Sequence, residues 1–130
     1  MINSFVILTG GTGGHVFPAV SFGNFLINKG YKCILITDNR GNKYTKQFNG
    51  EIKIINASHL SGSFFLKIFA IIKLLLGFFE SLYFLYKIKP KIAVSFGSYA
   101  SLPPCFVIKI ITNIYKINFY IHEQNSIIGR

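Results

Sequence analysis

A chain of 130 residues has room for one domain built around one ordinary core. With 51% hydrophobic and 14% charged residues, it is too apolar to stay disordered. Against 4 Asp and Glu stand 14 Lys and Arg, a formal net charge of +10 that favours an anionic partner: a membrane surface, a phosphorylated substrate or nucleic acid.

That excess has a competing source, because strong codon bias enriches Ile, Asn, Lys, Phe and Tyr together without selection for binding. Nucleic acid is set aside as a partner. No RNP, zinc or helix-turn-helix pattern occurs, and the aromatics sit in apolar runs instead of among basic residues. The two cysteines, Cys33 and Cys105, form no CxxC and lie among apolar neighbours. They read as reduced core residues of a cytosolic protein, with no metal site and no redox role. Met1-Ile2-Asn3-Ser4 lacks the basic start of a secretory signal, and Phe5 to Leu8 is too short for its apolar stretch, so a cytoplasmic location is expected.

Phe5-Val6-Ile7-Leu8, ended by Gly10-Gly11, predicts a strand buried on both faces. Apolar residues at helical spacing predict a helix over Val16 to Asn28, stopped at Asn28-Lys29-Gly30. Cys33 to Ile36 reads as a second strand, closed by Thr37-Asp38-Asn39. A short helix is expected between Arg40 and Gly50, and Ile52 to Ile55 gives a third strand. The long hydrophobic segment Phe64 to Tyr86 runs up to Pro90. Ile92-Ala93-Val94 is a fourth strand leading into Phe96-Gly97-Ser98. A helix over Cys105 to Ile114 begins near Pro103-Pro104, and Phe119-Tyr120-Ile121 is a fifth strand. Short apolar strands alternating with helices predict an α/β fold, a doubly wound parallel sheet covered on both faces. Arg130 follows a polar cluster with no closing helix, which reads as a truncation.

The chemistry-bearing string is Thr9-Gly10-Gly11-Thr12-Gly13-Gly14-His15, at the C-terminal end of the first strand, where ligands bind in open α/β sheets. Its glycines let the backbone approach a phosphate or sugar, and the helix start behind them offers unpaired N–H groups. A Walker loop is excluded, since His15 and Val16 stand where Lys and Ser or Thr belong. A dinucleotide fingerprint fits Gly11 and Gly13 but meets Val16 where its third Gly or Ala is required. Asp38, in the place of a ribose-binding acid, keeps an NAD reading open.

The longer string Gly10 to Ala19 (GGTGGHVFPA) resembles the signature of the MurG family of cell-wall glycosyltransferases, glycosyltransferase family 28. Phe96 to Pro103 (FGSYASLP) is similar to that family's middle glycine-rich loop. His122-Glu123-Gln124-Asn125, with Gly129-Arg130 behind it, is similar to the segment after its fifth strand. The resemblance implies a Rossmann-like N-terminal domain, residues 1–130, of a two-domain GT-B enzyme whose C-terminal, uridine-binding domain lies beyond this chain. It further implies metal-independent, cofactor-free, inverting transfer of N-acetylglucosamine. The donor would be UDP-N-acetylglucosamine and the acceptor undecaprenyl-pyrophosphoryl-muramoyl-pentapeptide, the lipid I to lipid II step of peptidoglycan biosynthesis.

By the same resemblance Thr12, Gly13, Gly14 and Asn125 contact the donor, and Gly10, Gly11, Gly97, Ser98 and Tyr99 the acceptor. His15 serves as general base or steadies charge in the cleft, with a structural helix-capping role as the alternative. Glu123 orients a neighbour, acts as base, or is a structural acceptor. Two residues depart from the pattern: Ser98 and Leu102 stand where the family has glycines, and both are expected to narrow the loop. A non-catalytic, acceptor-holding docking subunit that needs a separate nucleotide-binding chain is the competing function.

Phe64 to Tyr86 is long enough to span a bilayer, but Lys67, Lys73 and Glu80 interrupt it. Three readings stand: a peripheral contact through Lys67, Lys73, Phe78 and Phe79, core helices broken near Gly77, or a spanning helix. The first is the expectation, and the resemblance points the same way, to the cytoplasmic face of the bacterial inner membrane. Lys73, Glu80 and Lys87 are expected to form one polar stripe, with an apolar face covering the sheet.

Overall fold

The computed structural model describes residues 4–58, 60 and 62–122, without the side chain of Tyr99. Five strands, β1 (Ser4–Leu8), β2 (Lys32–Thr37), β3 (Glu51–Ile54), β4 (Ile92–Ser95) and β5 (Asn118–Ile121), pair in parallel in the order β3-β2-β1-β4-β5. β1 lies at the centre, with Val6 beside Ile34 on one flank and Ala93 on the other. The helices are α1 (Gly13–Asn28), α2 (Asn39–Asn42), α3 (Phe64–Ile88) and α4 (Leu102–Ile111), the last entered through a 3-10 turn, Tyr99–Ser101.

Alternation along the central strands builds two cores. Ile7, Cys33 and Leu35 point to one face and pack with Val16, Ala19, Val20 and Leu26 of α1. Val6, Leu8, Ile34 and Ile36 point to the other and pack with Leu85 of α3 and Val107, Ile108 and Ile111 of α4. Side chains alternate across a strand with period two, so a parallel sheet needs both faces covered and its strands become apolar throughout. The doubly wound parallel sheet expected from the sequence is therefore found, with strand ends moved by a residue or so.

Three helices depart from expectation, and α4 begins at Leu102 and ends at Ile111, three residues earlier at both ends than its predicted span. α1 starts at Gly13, one turn earlier than its apolar spacing indicates, because the glycines themselves are helical. α3 is continuous for 25 residues and is not broken at Gly77. Ser63 caps its start by accepting from the Leu66 N–H, and Lys89, at φ 48°, ends it before Pro90.

The setting of α3 about its own axis overturns the expected polar stripe. The buried residues on this helix are Ala70, Gly77, Ser81 and Leu85. A Cβ at Gly77 would run into the carbonyl of Asn56, so only glycine permits this approach. Glu80 turns the same way and accepts from both the backbone N–H and the side-chain amide of Asn56, at 2.9 and 2.8 Å. The small and polar residues thus face the protein, and the large apolar ones of the N-terminal half face outward. Phe64 and Phe65 are 73% and 72% exposed, and Leu66, Phe69, Leu75 and Phe79 are exposed too. Close backbone approach selects small side chains, and the hydropathy pattern alone does not register that requirement.

Candidate active site

The strand order reverses between β1 and β4, so the loops leaving their carboxyl ends diverge and open a crevice between them, the usual ligand position in such sheets. Residues 9–15 leave β1 and residues 96–101 leave β4. The two loops are tied together by His15, whose Nδ1 lies 3.0 Å from the Phe96 carbonyl oxygen. A carbonyl only accepts, so Nδ1 carries the hydrogen, which leaves Nε2 as the nitrogen able to accept a proton. His15 is half-buried, and its ring lies beside Gly97. The Phe96 ring packs against Phe22 and against His122, which follows β5.

Asp38 explains the shape of the first loop. It is 3% exposed, and its Oδ1 accepts from the N–H groups of Gly11, at 3.1 Å, and Gly41, at 2.8 Å. The carboxylate that a dinucleotide reading assigns to a ribose is therefore engaged inside the protein, and with Val16 at the third fingerprint position the NAD reading fails. Gly10 and Gly11 are buried. A Cβ at Gly10 would meet Ala100 and Asp38, and Gly11 sits at φ 78°, so both glycines serve the packing of one loop on the other.

Thr12, Gly13 and Gly14 stand at the open end of α1. Thr12 is the N-cap residue but makes no side-chain cap hydrogen bond, and the first turn holds no acidic residue. The helix start is left as a set of donors with a partial positive charge, suited to an anion. Pro18 lacks the N–H that would bond the Gly14 carbonyl, so this carbonyl has no i+4 partner within the helix. A Cβ added at Gly14 would have only Thr12 Oγ1 near it, at 3.7 Å. Nothing inside the fold requires glycine there. One wall beside Gly13 is aromatic, formed by Phe17 and Tyr44, which meet edge to face at 5.5 Å.

Among the other predicted residues, Gly97 and Ser98 line the second loop at φ 88° and 78°. Ser98 occupies the left-handed region that favours glycine, and its Oγ accepts from the Ala100 N–H at 3.2 Å. Tyr99 lies in the 3-10 turn. Leu102 does not narrow this loop: it is exposed at the start of α4 and lines apolar hollows beside Phe106. Glu123, Asn125 and Gly129-Arg130 lie outside the described residues. Of the four membrane-contact candidates, Lys67, Lys73 and Phe79 are exposed, whereas Phe78 packs partly buried against the core. Asp38 as loop anchor and the Phe17–Tyr44 wall were missed. The Thr-Asp pair at the end of an apolar run is the one sequence signal for the anchor.

The sequence profile of the glycosyltransferase family 28 N-terminal domain matches residues 5–130. The chain belongs to glycosyltransferase family 28. This family 28 chain is 38% identical, over 125 residues, to UDP-N-acetylglucosamine--N-acetylmuramyl-(pentapeptide) pyrophosphoryl-undecaprenol N-acetylglucosamine transferase of Wolbachia sp. subsp. Drosophila simulans (strain wRi), covering 96% of the chain and 34% of that protein. The protein of the same description from Rickettsia rickettsii (strain Sheila Smith) is 37% identical over 125 residues, 96% of the chain and 31% of its own length. The chain thus spans about a third of the curated relatives it matches. Its fold superposes on MurG of Acinetobacter baumannii with a TM-score of 0.78 at 27% identity, covering 98% of this chain and 37% of that one. The calicheamicin glycosyltransferase CalG4 gives 0.62 at 11% identity over 93% of this chain and 32% of its own, a likeness of fold alone. The doubly wound sheet thus matches the N-terminal domains of GT-B glycosyltransferases.

Proposed function

We propose that this chain is the acceptor-side, membrane-associating N-terminal domain of an inverting transferase. It would move N-acetylglucosamine from UDP-N-acetylglucosamine to a lipid-linked muramoyl-pentapeptide in peptidoglycan biosynthesis, at the cytoplasmic face of a bacterial inner membrane. The observation that carries the reading is the His15 bridge. At the point where the sheet reverses, it ties two glycine loops together through Nδ1, which leaves Nε2 outside that bond, in a chain 38% identical to relatives so described. In the reaction Nε2 of His15 takes the proton of the attacking sugar hydroxyl. The new bond forms at the anomeric carbon as the bond to UDP breaks on the opposite side, which inverts the centre. Thr12, Gly13, Gly14 and Asn125 would bind the donor, and Gly97, Ser98 and Tyr99 the acceptor. Gly10 and Gly11 hold the loop in place, Glu123 orients the base, and the uridine site belongs to a C-terminal domain.

The outward apolar face of α3, with Lys67, Lys73 and Phe79, supports peripheral docking on an anionic membrane. α3 is long and apolar enough to cross a bilayer, but inserting it would remove Leu85 from the core and the crossover from the sheet.

The test joins this chain to the remaining two thirds of the Wolbachia relative and measures UDP release with a lipid I analogue. The joined protein is expected to turn over, His15→Gln to lose at least a hundredfold in kcat, and the 130-residue chain alone to release none. Turnover by the chain alone refutes the two-domain reading. Full activity in His15→Gln refutes the assignment of the base.

A further inference from the structure

A cavity of about 430 Å³ lies beside α3, and the reaction above does not use it. The end of β2 with α2, the residues after β3, and the N-terminal half of α3 form it. It therefore sits on the same rim of the sheet as the crevice at His15, the rim of the strand carboxyl ends. Asp38 is common to both places, since it borders the cavity while its Oδ1 holds the Gly11 N–H of the first loop. From the crevice to the ends of β2 and β3 is a matter of two strand spacings, about 10 Å.

The lining discriminates by charge. Asn39, Ser58 and Lys73 contribute polar side chains that make no hydrogen bond or ion pair among the described residues. Arg40 also borders the cavity but has an interaction of its own, so Lys73 is the cation that can answer a ligand. The Asp38 carboxylate in the wall opposes a second negative charge. A diphosphate is poorly matched by such a set, and a single carboxylate is well matched. The Asn39 amide and the Ser58 hydroxyl suit peptide N–H and C=O groups, and Ala57 and Leu66 offer apolar contact to small side chains.

We propose that this cavity seats the peptide of the acceptor, with Lys73 on its terminal carboxylate. The proposal rests on the acceptor reading above and adds a second point of attachment to it. The sugar that bears the attacking hydroxyl also bears the peptide, and five extended residues span at most about 17 Å, enough to cross from one place to the other. Binding energy gained on this remote stem holds the sugar in register with Nε2 of His15 and is read in kcat/KM.

The joined enzyme is assayed without vesicles on water-soluble, short-chain lipid I analogues, one with the free pentapeptide carboxylate and one with that group as its primary amide. Wild type is expected to prefer the free carboxylate by about tenfold or more in kcat/KM, the worth of a hydrogen bond to a charged group. Lys73→Ala should lose about tenfold on the first analogue and no more than about twofold on the amide, and Lys73→Arg should keep most of the preference. Equal losses on both analogues overturn the contact, because a merely structural lysine lowers them alike. In parallel, muramoyl-pentapeptide free of lipid and diphosphate is titrated into the 130-residue chain and followed by backbone amide NMR. Shifts are expected at Asn39, Ser58 and Lys73, with about tenfold weaker binding of the amidated peptide. Absence of shifts at these residues overturns the site, and turnover by the joined enzyme then leaves the transferase reading intact. No turnover with either analogue overturns the transferase reading, and the titration still decides whether the cavity takes the peptide.

Discussion

Gly14→Ala separates folding from function at one atom. The added Cβ would have only Thr12 Oγ1 near it, at 3.7 Å, an ordinary contact, and the residue sits in the first turn of α1. Replacing glycine by alanine inside a helix is worth about 0.5–1 kcal/mol. The first turn realises only part of that, so a gain of about 0.5 kcal/mol is expected, on the order of 2 °C in Tm. Gly23 on the same helix is the comparison. There a Cβ would lie 2.6 Å from Phe48 Cε1 and 3.1 Å from Ile7 Cδ1, so Gly23→Ala should lose about 1–3 kcal/mol by overpacking. Activity should run the other way at Gly14, because the methyl group occupies the space into which the ligand must come. A loss of at least tenfold in kcat/KM, about 1.4 kcal/mol, is expected in the joined enzyme. Thermal unfolding by circular dichroism reads the first quantity and UDP release the second. A Gly14→Ala protein that melts lower refutes the open geometry of the loop. One that melts higher and keeps full activity refutes the loop as a contact site.

Gly77→Ala should destabilise by about 1–3 kcal/mol despite the better helix propensity of alanine, because its Cβ meets the Asn56 carbonyl; a urea midpoint that stays or rises would contradict the seating of α3. Ser98 is strained at φ 78° but gains a hydrogen bond from its Oγ, so Ser98→Gly should be more stable than Ser98→Ala by about 1 kcal/mol in the same denaturation assay. Equal midpoints would remove the strain argument. Burial pushes the Cys33 thiol up to about 12, so Cys33 should not react with an aromatic disulfide at pH 8 until the chain unfolds. The sign for stability is that an unfolded thiol ionises near its ordinary value of 9.0 while the folded one does not. Wild type should therefore lose stability relative to Cys33→Ala as pH rises above about 9.

The strands were legible because a parallel sheet covered on both faces needs unbroken apolar runs, and Val6-Ile7-Leu8 and Cys33 to Ile36 are such runs. The glycine loop was legible as a place, since four glycines between a strand and a helix admit few other uses. Its internal division was not. Gly11 and Gly14 look alike in sequence, yet one N–H is tied to Asp38 and the other residue lies open, a difference made by a partner 27 positions away from Gly11. α3 was legible as a helix but not in its rotation. A hydropathy pattern assumes that burial follows apolarity, and here Gly77 and Ala70 face inward through size alone. The cavity at Arg40 and Lys73 left no trace in the sequence, because its three segments meet only after folding.

The seating of α3 has a consequence for how the helix tolerates change. Its inner seam, Ala70, Gly77 and Ser81, is made of small residues, and at Gly77 the Asn56 carbonyl leaves no room for a Cβ. The outer positions Phe65, Phe69, Leu75 and Phe79 carry much less of the core, so Phe, Leu, Ile and Met should interchange there with little effect on folding. A library randomised over the whole helix should therefore sort twice. Selection for solubility in a detergent-free cell would push the outer positions toward charge, and selection for growth would pull them back to apolar side chains. The inner seam should come through both selections unchanged.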